Sequence, residues 1–189
     1  MSPVRSAPVL LACLALAAAL PATAGAPGIQ VLSARTTLVD EVYRLDADIR
    51  YDLGPAAEEA LHSGVPLTFV TEIEVLRPRR WLWDARVARL EQRHVLRWHA
   101  LSERYVLEHL NTGERRSFRS LARALQALGT LRGLPMLDRR LLRVGTAYDA
   151  RLRARLSVED LPAPMRPFAY LERDWRRLRS GWYRWRLAS

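Results

Sequence analysis

The feature that most constrains the fold is a strict two-residue alternation of apolar and charged side chains. It is clearest in residues 145–159 and recurs in residues 42–53. Successive side chains of a strand point to opposite faces, so this period predicts half-buried antiparallel strands with one solvated face. The inward positions of the clearer strand are Tyr148, Ala150, Leu152, Ala154, Leu156 and Val158. Strands of this kind bury their apolar faces against a second layer.

Other segments are typical of strands, short helices or turns. Further strands are predicted at residues 29–39, 67–75, 84–99, 105–110 and 182–187. Residues 56–62 read as one or two helical turns. Ser120 is a candidate cap for a helix that stops at Gly129. The segment from Gly133 to Asp138 is read as a looser connection because it contains Gly133 and Pro135.

Two of these segments are predicted to form a hairpin. One register places the apolar faces of both strands on the same side. It pairs Trp98 with Tyr105, Leu96 with Leu107 and His94 with His109. The total is about seven strands with one substantial helix, and the turn signals recur at the intervals of a sandwich. We therefore predict a mainly β fold, a single antiparallel β-sandwich of immunoglobulin-like type with one short helix inserted, over residues 25–189. A β-barrel is the main alternative.

The N-terminus has the order of a secretory signal. A short basic start precedes the apolar run Ala7–Leu20, Pro21 and the small residues of Ala22–Ala24. We predict a signal peptide of residues 1–24 and a periplasmic protein, with an uncleaved anchor as the alternative. Lipidation at Cys13, which lies in a weak lipoprotein pattern, is a further alternative. Cleavage after Ala24 would remove the one cysteine, and with it disulfide and thiolate chemistry.

Charge is divided unevenly along the chain. All 30 basic residues are arginine, and the formal net charge is +10. Residues 25–76 hold three arginines and nine acids, whereas residues 77–189 hold 26 arginines and 11 acids. Such a division predicts either a surface that seeks anions or acidic strands that lie beside basic ones. An exported protein rarely meets DNA or RNA, so we predict no nucleic-acid partner.

Four stretches carry a resemblance to a known family. They are Glu74–Arg77 leading into Trp81–Trp83, Arg93–Trp98 followed by Tyr105, Leu110–Gly113 with Phe118–Leu128, and Phe168–Leu187 with Trp175 and Trp182. In these the chain resembles the proteobacterial domain-of-unknown-function family 4390. The resemblance implies a small exported protein with no assigned activity and no established catalytic residue. It also implies a signalling context, because genes of that family tend to lie beside a membrane-bound sensor histidine kinase.

Two histidines are candidate metal ligands. His94 and His109 would lie side by side across the hairpin, and two imidazoles at that spacing are suitable ligands for Zn or Cu. A third ligand is lacking, because Glu108 faces the other side and Gln92 is a poor ligand. We therefore predict hydrogen-bonded histidines at the margin of a sheet, without a metal or cofactor.

Catalytic patterns are weak. Ser102, Ser117 and Ser120 lie in turn or cap contexts without the strained G-x-S-x-G turn of a hydrolase. Asp46 and Asp48 share one face, as a glycosidase pair does, but they alternate with arginines on a solvated strand. The sequence contains no phosphate-binding glycine motif. We predict a protein that is not an enzyme.

Arginine and tryptophan form two clusters that are candidates for an interaction surface. Arginine binds phosphate and carboxylate through its fork of donors, and tryptophan favours the bilayer interface. The candidate residues are Arg77, Arg79, Arg80, Trp81 and Trp83 in one cluster and Arg173, Trp175, Arg176, Arg177, Trp182, Arg184 and Trp185 in the other. In the alternative, the tryptophans fill the core and the arginines solvate its rim.

These observations together predict a binding protein. The first hypothesis is an exported, non-enzymatic β-sandwich that binds a protein partner in the cell envelope, with a sensor histidine kinase as the suggested partner. The second is a peripheral binder of anionic lipid or glycan through the arginine and tryptophan clusters.

Overall fold

The computed structural model describes residues 28–79 and 83–187. The predicted signal peptide, Cys13, Arg80 and Trp81 lie outside the described residues. The strands are β1 (Gly28–Val39), β2 (Val42–Asp52), β3 (Leu67–Arg77), β4 (Ala85–His99), β5 (Arg104–His109), β6 (Arg115–Phe118), β7 (Thr130–Asp138), β8 (Asp149–Leu156) and β9 (Tyr183–Arg186). The helices are α1 (Gly54–His62), α2 (Leu121–Gly129), α3 (Arg166–Leu171) and α4 (Arg173–Arg177).

The strands form two antiparallel sheets. One sheet has the order β1-β2-β7, and the other has the order β6-β5-β4-β3-β8-β9. The predicted mainly antiparallel β fold is therefore confirmed. The immunoglobulin-like topology is not confirmed, because an immunoglobulin constant domain divides its strands almost evenly between its sheets, whereas three and six strands are found here.

The core lies between the sheets, and it is built by the alternation seen in the sequence. Residues of β2 and β8 are buried at every second position. The predicted hairpin of β4 and β5 is confirmed in its register, including the pair His94–His109. β3 departs from the alternation: ten of its 11 residues, Leu67–Leu76, are buried, so its outer face is covered as well.

The segment predicted to be a loose connection is strand β7. It pairs with β2 from Val42 to Asp48, with two shifts of register. Gly133 has a left-handed φ of 59°, a conformation that glycine adopts without steric cost. Gly133 and Pro135 interrupt the alternation of apolar and polar residues in the sequence. They are tolerated because β7 is an irregular strand at the edge of its sheet.

Helix α2 lies beside β2, where β7 no longer pairs with it. Ala124, Leu125 and Leu128 form its buried face. The helix ends at Gly129, where a β-carbon would lie 1.9 Å from the carbonyl oxygen of Ile49. Close backbone approach therefore fixes how α2 sits on the sheet. Among the described residues, no helix is long and apolar enough to cross a bilayer.

Three loops meet at one end of the sandwich, which we call the loop end. They are the β1–β2 turn, the described part of the β3–β4 loop and the β7–β8 loop of residues 139–148. Leu76, near the end of β3, pairs with both Arg86 and Asp149, which places the second and third loops side by side. The Arg139 amide donates to the Glu41 carbonyl at 2.8 Å, which ties the third loop to the first. Gly28 begins β1 at the opposite end, about 40 Å away for a strand of 12 residues.

Candidate functional site

Two buried carboxylates organise the outer face of the six-stranded sheet. Glu72 and Glu74 lie on β3, and their side chains are 3% and 4% exposed. Burial alone would raise the pKa of each carboxyl. Hydrogen bonds and charges from arginines on β4 and β8 outweigh that effect and hold both pKa values below the ordinary range. Both groups are therefore ionised within a low-dielectric setting.

The arginines that bind these carboxylates come from the strands on either side. Glu72 accepts from Arg153 at 2.8 Å, from Arg155 at 3.2 Å and from Arg89 at 3.4 Å. Glu74 accepts from Arg151 at 2.6 Å and from Arg86 at 3.0 Å. The acidic first third of the chain therefore lies beside arginines of the basic remainder, which is one of the two outcomes that the charge division predicts.

All three tryptophans of the C-terminal cluster pack against the fold. Trp175, on α4, is 5% exposed and belongs to the core. The Trp182 ring lies 4.2 Å from the Arg151 guanidinium carbon and 4.4 Å from that of Arg153. Trp185 donates from Nε1 to the Thr36 hydroxyl at 3.3 Å, across the two sheets. These side chains hold the C-terminal segment in place, as in the core-and-rim alternative.

The arginines of the C-terminal cluster are all exposed, and one of them is paired with an acidic residue. Arg184 forms an ion pair with Asp84 at 2.9 Å. Arg173, Arg176 and Arg177 are exposed on α4. As a candidate interaction surface these arginines stay a prediction, whereas Trp175 between them is buried.

The first cluster lies at the loop end. Arg77 is half-buried at the end of β3, and Arg79 is exposed. Trp83 is 94% exposed, an unusual position for an aromatic side chain of this size. As a candidate interaction surface this cluster stays a prediction, but the described side chain of Trp83 is free to contact a partner.

The β7–β8 loop places two further apolar side chains at the loop end. Leu141 is 67% exposed and Val144 is 96% exposed. The Asp138 carboxylate accepts from the Arg140 amide at 2.8 Å, and the Tyr148 hydroxyl accepts from the Arg143 amide at 3.1 Å. These hydrogen bonds hold the backbone of the loop, and Leu141 and Val144 extend from it into solvent.

A cleft of about 590 Å³ opens next to these side chains, between the β1–β2 turn and the β7–β8 loop. Two tyrosines and three arginines line it, namely Tyr43, Tyr148, Arg139, Arg140 and Arg143. Arg139 is paired with Glu41 at 3.5 Å. Sequence reasoning missed this loop, although apolar residues among arginines between two strands, at 139–144, were a usable signal.

The two hairpin histidines form a stacked pair. Their ring centroids are 4.4 Å apart and the planes differ by 13°. A neutral His109 donates from Nε2 to Gln92 Oε1 at 2.7 Å and accepts at Nδ1 from the Thr112 hydroxyl at 2.8 Å. Lone pairs of stacked rings run side by side rather than toward one point. Within the described part of the chain, no three histidine, cysteine or acidic side chains are grouped as metal ligands. His94 Nδ1 is buried without a hydrogen-bond partner among the described residues, so the predicted hydrogen bonding is found for His109 and not for His94.

This pair predicts a pH dependence of stability. Burial, together with repulsion from His109 when that ring is protonated, lowers the pKa of His94 from 6.5 to about 4. Between these values the unfolded chain binds a proton that the folded chain does not, so stability should fall as pH decreases from about 6.5 toward 4. We expect His94→Phe to reduce the change of the urea midpoint with pH between pH 5 and 6.5. The same substitution at the exposed His99 is the control, and an unchanged slope for His94→Phe would contradict the prediction.

One histidine has partners that the sequence did not indicate. His62, at the end of α1, shares a hydrogen bond of 2.7 Å with the Tyr105 hydroxyl. Its ring stands edge-on to Trp98 at 5.4 Å. Tyr105 and Trp98 are neighbours in the hairpin, at 4.7 Å. The contacts fasten α1 to the six-stranded sheet.

The serines and the aspartate pair are in structural contexts. Ser102 lies 3.2 Å from His99 Nδ1 within one exposed turn, and Ser120 caps α2 by accepting from the Arg123 amide at 3.4 Å. The Gly133 amide holds the pKa of Asp46 below its ordinary range. Asp48 accepts from Ser33 and Arg132. Asp46 and Asp48 therefore form hydrogen bonds and ion pairs with neighbouring strands on the charged face of β2.

One comparison with known proteins gives a match. A family model with the description "Domain of unknown function (DUF4390)" matches residues 26–186. No curated protein and no solved structure matches the chain significantly.

Proposed function

We propose that this chain, which belongs to the family Domain of unknown function (DUF4390), is a non-enzymatic binding protein of the cell envelope. We further propose that it docks on an anionic membrane surface through the loop end. The signal-like order of residues 1–24 supports the location. The exposure of Trp83, Leu141 and Val144 on two adjacent loops supports the docking surface.

The exposed apolar side chains carry this proposal. Trp83 and Val144 are almost fully exposed and lie on loops that adjoin at the Leu76–Asp149 pair. Burying a large apolar side chain is favourable by about 2 kcal/mol, so water is a poor environment for these residues. Tryptophan gains further at a bilayer interface, where its ring meets the headgroups.

Arginines at the same end supply the electrostatic part. Arg79, Arg140 and Arg143 are exposed and form no ion pair among the described residues. A basic residue near an anionic membrane surface contributes about 1 kcal/mol, and salt screens that contribution. Apolar insertion and charge attraction would therefore act at one end of the molecule.

Liposome flotation tests the proposal. We expect the protein to float with phosphatidylglycerol vesicles at low salt, and to bind weakly to phosphatidylcholine vesicles or at high salt. Trp83→Ala should weaken binding about tenfold, which corresponds to the loss of a partly inserted ring. Arg140→Gln with Arg143→Gln should reduce binding to anionic vesicles and flatten its salt dependence.

A matched control exists at the opposite end. Leu101 is 96% exposed on the β4–β5 turn, so Leu101→Ala removes an equally exposed apolar side chain. It should leave vesicle binding unchanged. Two results would overturn the proposal. One is vesicle binding that does not depend on lipid charge, and the other is an equal loss of binding in Trp83→Ala and Leu101→Ala.

A protein partner is the second candidate function, and the cleft at the loop end favours it. Tryptophan, tyrosine and arginine are enriched among interface hot spots, which cluster in well-packed, desolvated pockets. Tyr43, Tyr148 and Arg143 line such a pocket. Crosslinking in intact cells followed by mass spectrometry should then recover one envelope protein, with a sensor histidine kinase as the suggested partner. Its loss in Arg143→Gln, with vesicle binding absent, would favour this candidate.

A further inference from the structure

A second arginine-lined cleft lies away from the loop end. It measures about 550 Å³ and opens between β6, α2 and β7. The six-stranded sheet ends at β6 and the three-stranded sheet ends at β7, so α2 closes this side of the sandwich. Six of its lining residues are Arg116, Phe118, Arg123, Gln126, Thr130 and Arg132. Arg132 lies six positions before Asp138 along β7, which places it about 20 Å from the loop end.

The fold directs these side chains into the cleft. Arg116 pairs with Leu107 and Phe118 pairs with Tyr105, so they share the side of the sheet that faces the core and α2. The Arg116 guanidinium carbon lies 5.4 Å from the Phe118 ring centroid. On α2, Arg123 lies next to the buried Ala124, at the rim of the helix's apolar face.

Arg132 is held in a fixed position. Its Nη1 donates to the carbonyls of Ala47 at 2.9 Å and Leu131 at 2.7 Å, and its Nη2 donates to Asp48. Its charge therefore has a partner, and both hydrogens of Nη1 and one of Nη2 are used by the fold. Arg132 lines the cleft as a fixed side chain and is not counted among its unpaired donors.

The other two arginines have no counter-ion. None of the described side chains that line the cleft is acidic. The guanidiniums of Arg116 and Arg123 form neither an ion pair nor a hydrogen bond with the described residues, in contrast to the paired arginines of β8. Both side chains are exposed, so the cleft presents two positive charges to solvent without a compensating acid among the described residues that line it.

We propose that this cleft binds a small dianionic ligand, a phosphate monoester or a dicarboxylate. The two uncompensated guanidiniums match two negative charges, and arginine recognises both oxyanions through paired donors. A volume of about 550 Å³ lies in the range of small-molecule sites. Phe118 offers an apolar surface for the uncharged part of the ligand. The site is separate from the loop end and does not depend on membrane docking.

Titration with inorganic phosphate and with succinate, followed by amide NMR at low ionic strength, tests the proposal. We expect shifts confined to β6, α2 and the first residues of β7. The probe that binds with the higher affinity identifies which oxyanion the site prefers. Arg116→Gln with Arg123→Gln should weaken binding at least about tenfold, since charge-assisted hydrogen bonds are lost. Arg177→Gln on α4, where the side chain is likewise exposed, is the control and should not change the affinity.

Stability separates a ligand site from a structural role. Because Arg116 and Arg123 are exposed and form no ion pair with the described residues, the double variant should keep the urea midpoint that the wild-type chain has without probe. It should also lose the stabilisation that phosphate or succinate gives the wild-type chain. A fall in the midpoint without probe would show that the arginines serve the fold. Absence of binding at millimolar probe, or equal affinity in the double variant, would overturn the proposal.

Discussion

Gly129→Ala is expected to lower the free energy of unfolding by about 3 kcal/mol, measured by urea denaturation. A β-carbon at this position would lie 1.9 Å from the Ile49 carbonyl oxygen and 3.0 Å from its carbonyl carbon. Both atoms belong to the backbone of β2, which cannot turn aside as a side chain does. Alanine favours a helix over glycine by about 1 kcal/mol, which is too little to offset the clash.

Gly181 provides the matched control. It lies between α4 and β9, and a β-carbon there would meet no atom within 4 Å. Gly181→Ala should change the free energy of unfolding by less than about 0.5 kcal/mol. If Gly129→Ala were equally mild, α2 would not be fixed by contact with Ile49. In that case the arginine-lined cleft beside α2 would have a movable wall.

The same glycine shows how far the sequence predicts the fold. Its position after a run of leucines at helical spacing predicts where α2 ends, and that is confirmed. The reason for glycine was not visible, because the neighbour, Ile49, is 80 positions earlier in the chain. Local patterns give the elements, whereas contacts between distant segments decide their details.

The strands follow the same rule. The β4–β5 register was predictable, because apolar faces on adjacent segments match in one register. β7 was missed, since Gly133 and Pro135 disguise its alternation. The doubly buried β3 was predicted as a strand, but the covering of its outer face depends on arginines from β8, about 80 residues later.

The candidate sites were predictable in composition but not in position. Sequence identifies arginine and tryptophan as the residues of interest, and it gives Trp175 and Trp83 the same weight. The structure buries Trp175 in the core and exposes Trp83 at the loop end. The cleft with Arg116, Arg123 and Arg132 is assembled from three separate elements. No spacing in the chain indicates that these three side chains meet.

Glu72→Gln is expected to lower the free energy of unfolding by about 3 kcal/mol, because it leaves three arginines around a buried neutral amide. Glu72 is 3% exposed and accepts from Arg153, Arg155 and Arg89. Its pKa is held below the ordinary 4.5, so its contribution is present above that pH and is lost as pH falls through the folded value. Denaturation of the variant should therefore depend less on pH in the acid range.

Glu91→Gln is the control for Glu72→Gln, because Glu91 is the cross-strand partner of Glu72 on β4. Its side chain is 32% exposed and pairs with Arg89 and Arg93 at the surface. Exposed pairs contribute little, so the same substitution there should cost less than about 1 kcal/mol. If the two variants lost similar stability, burial would not be what makes the Glu72 pairs strong. A double-mutant cycle of Glu72→Gln with Arg153→Gln should then show no coupling, whereas a buried pair predicts a coupling of about 1 kcal/mol or more.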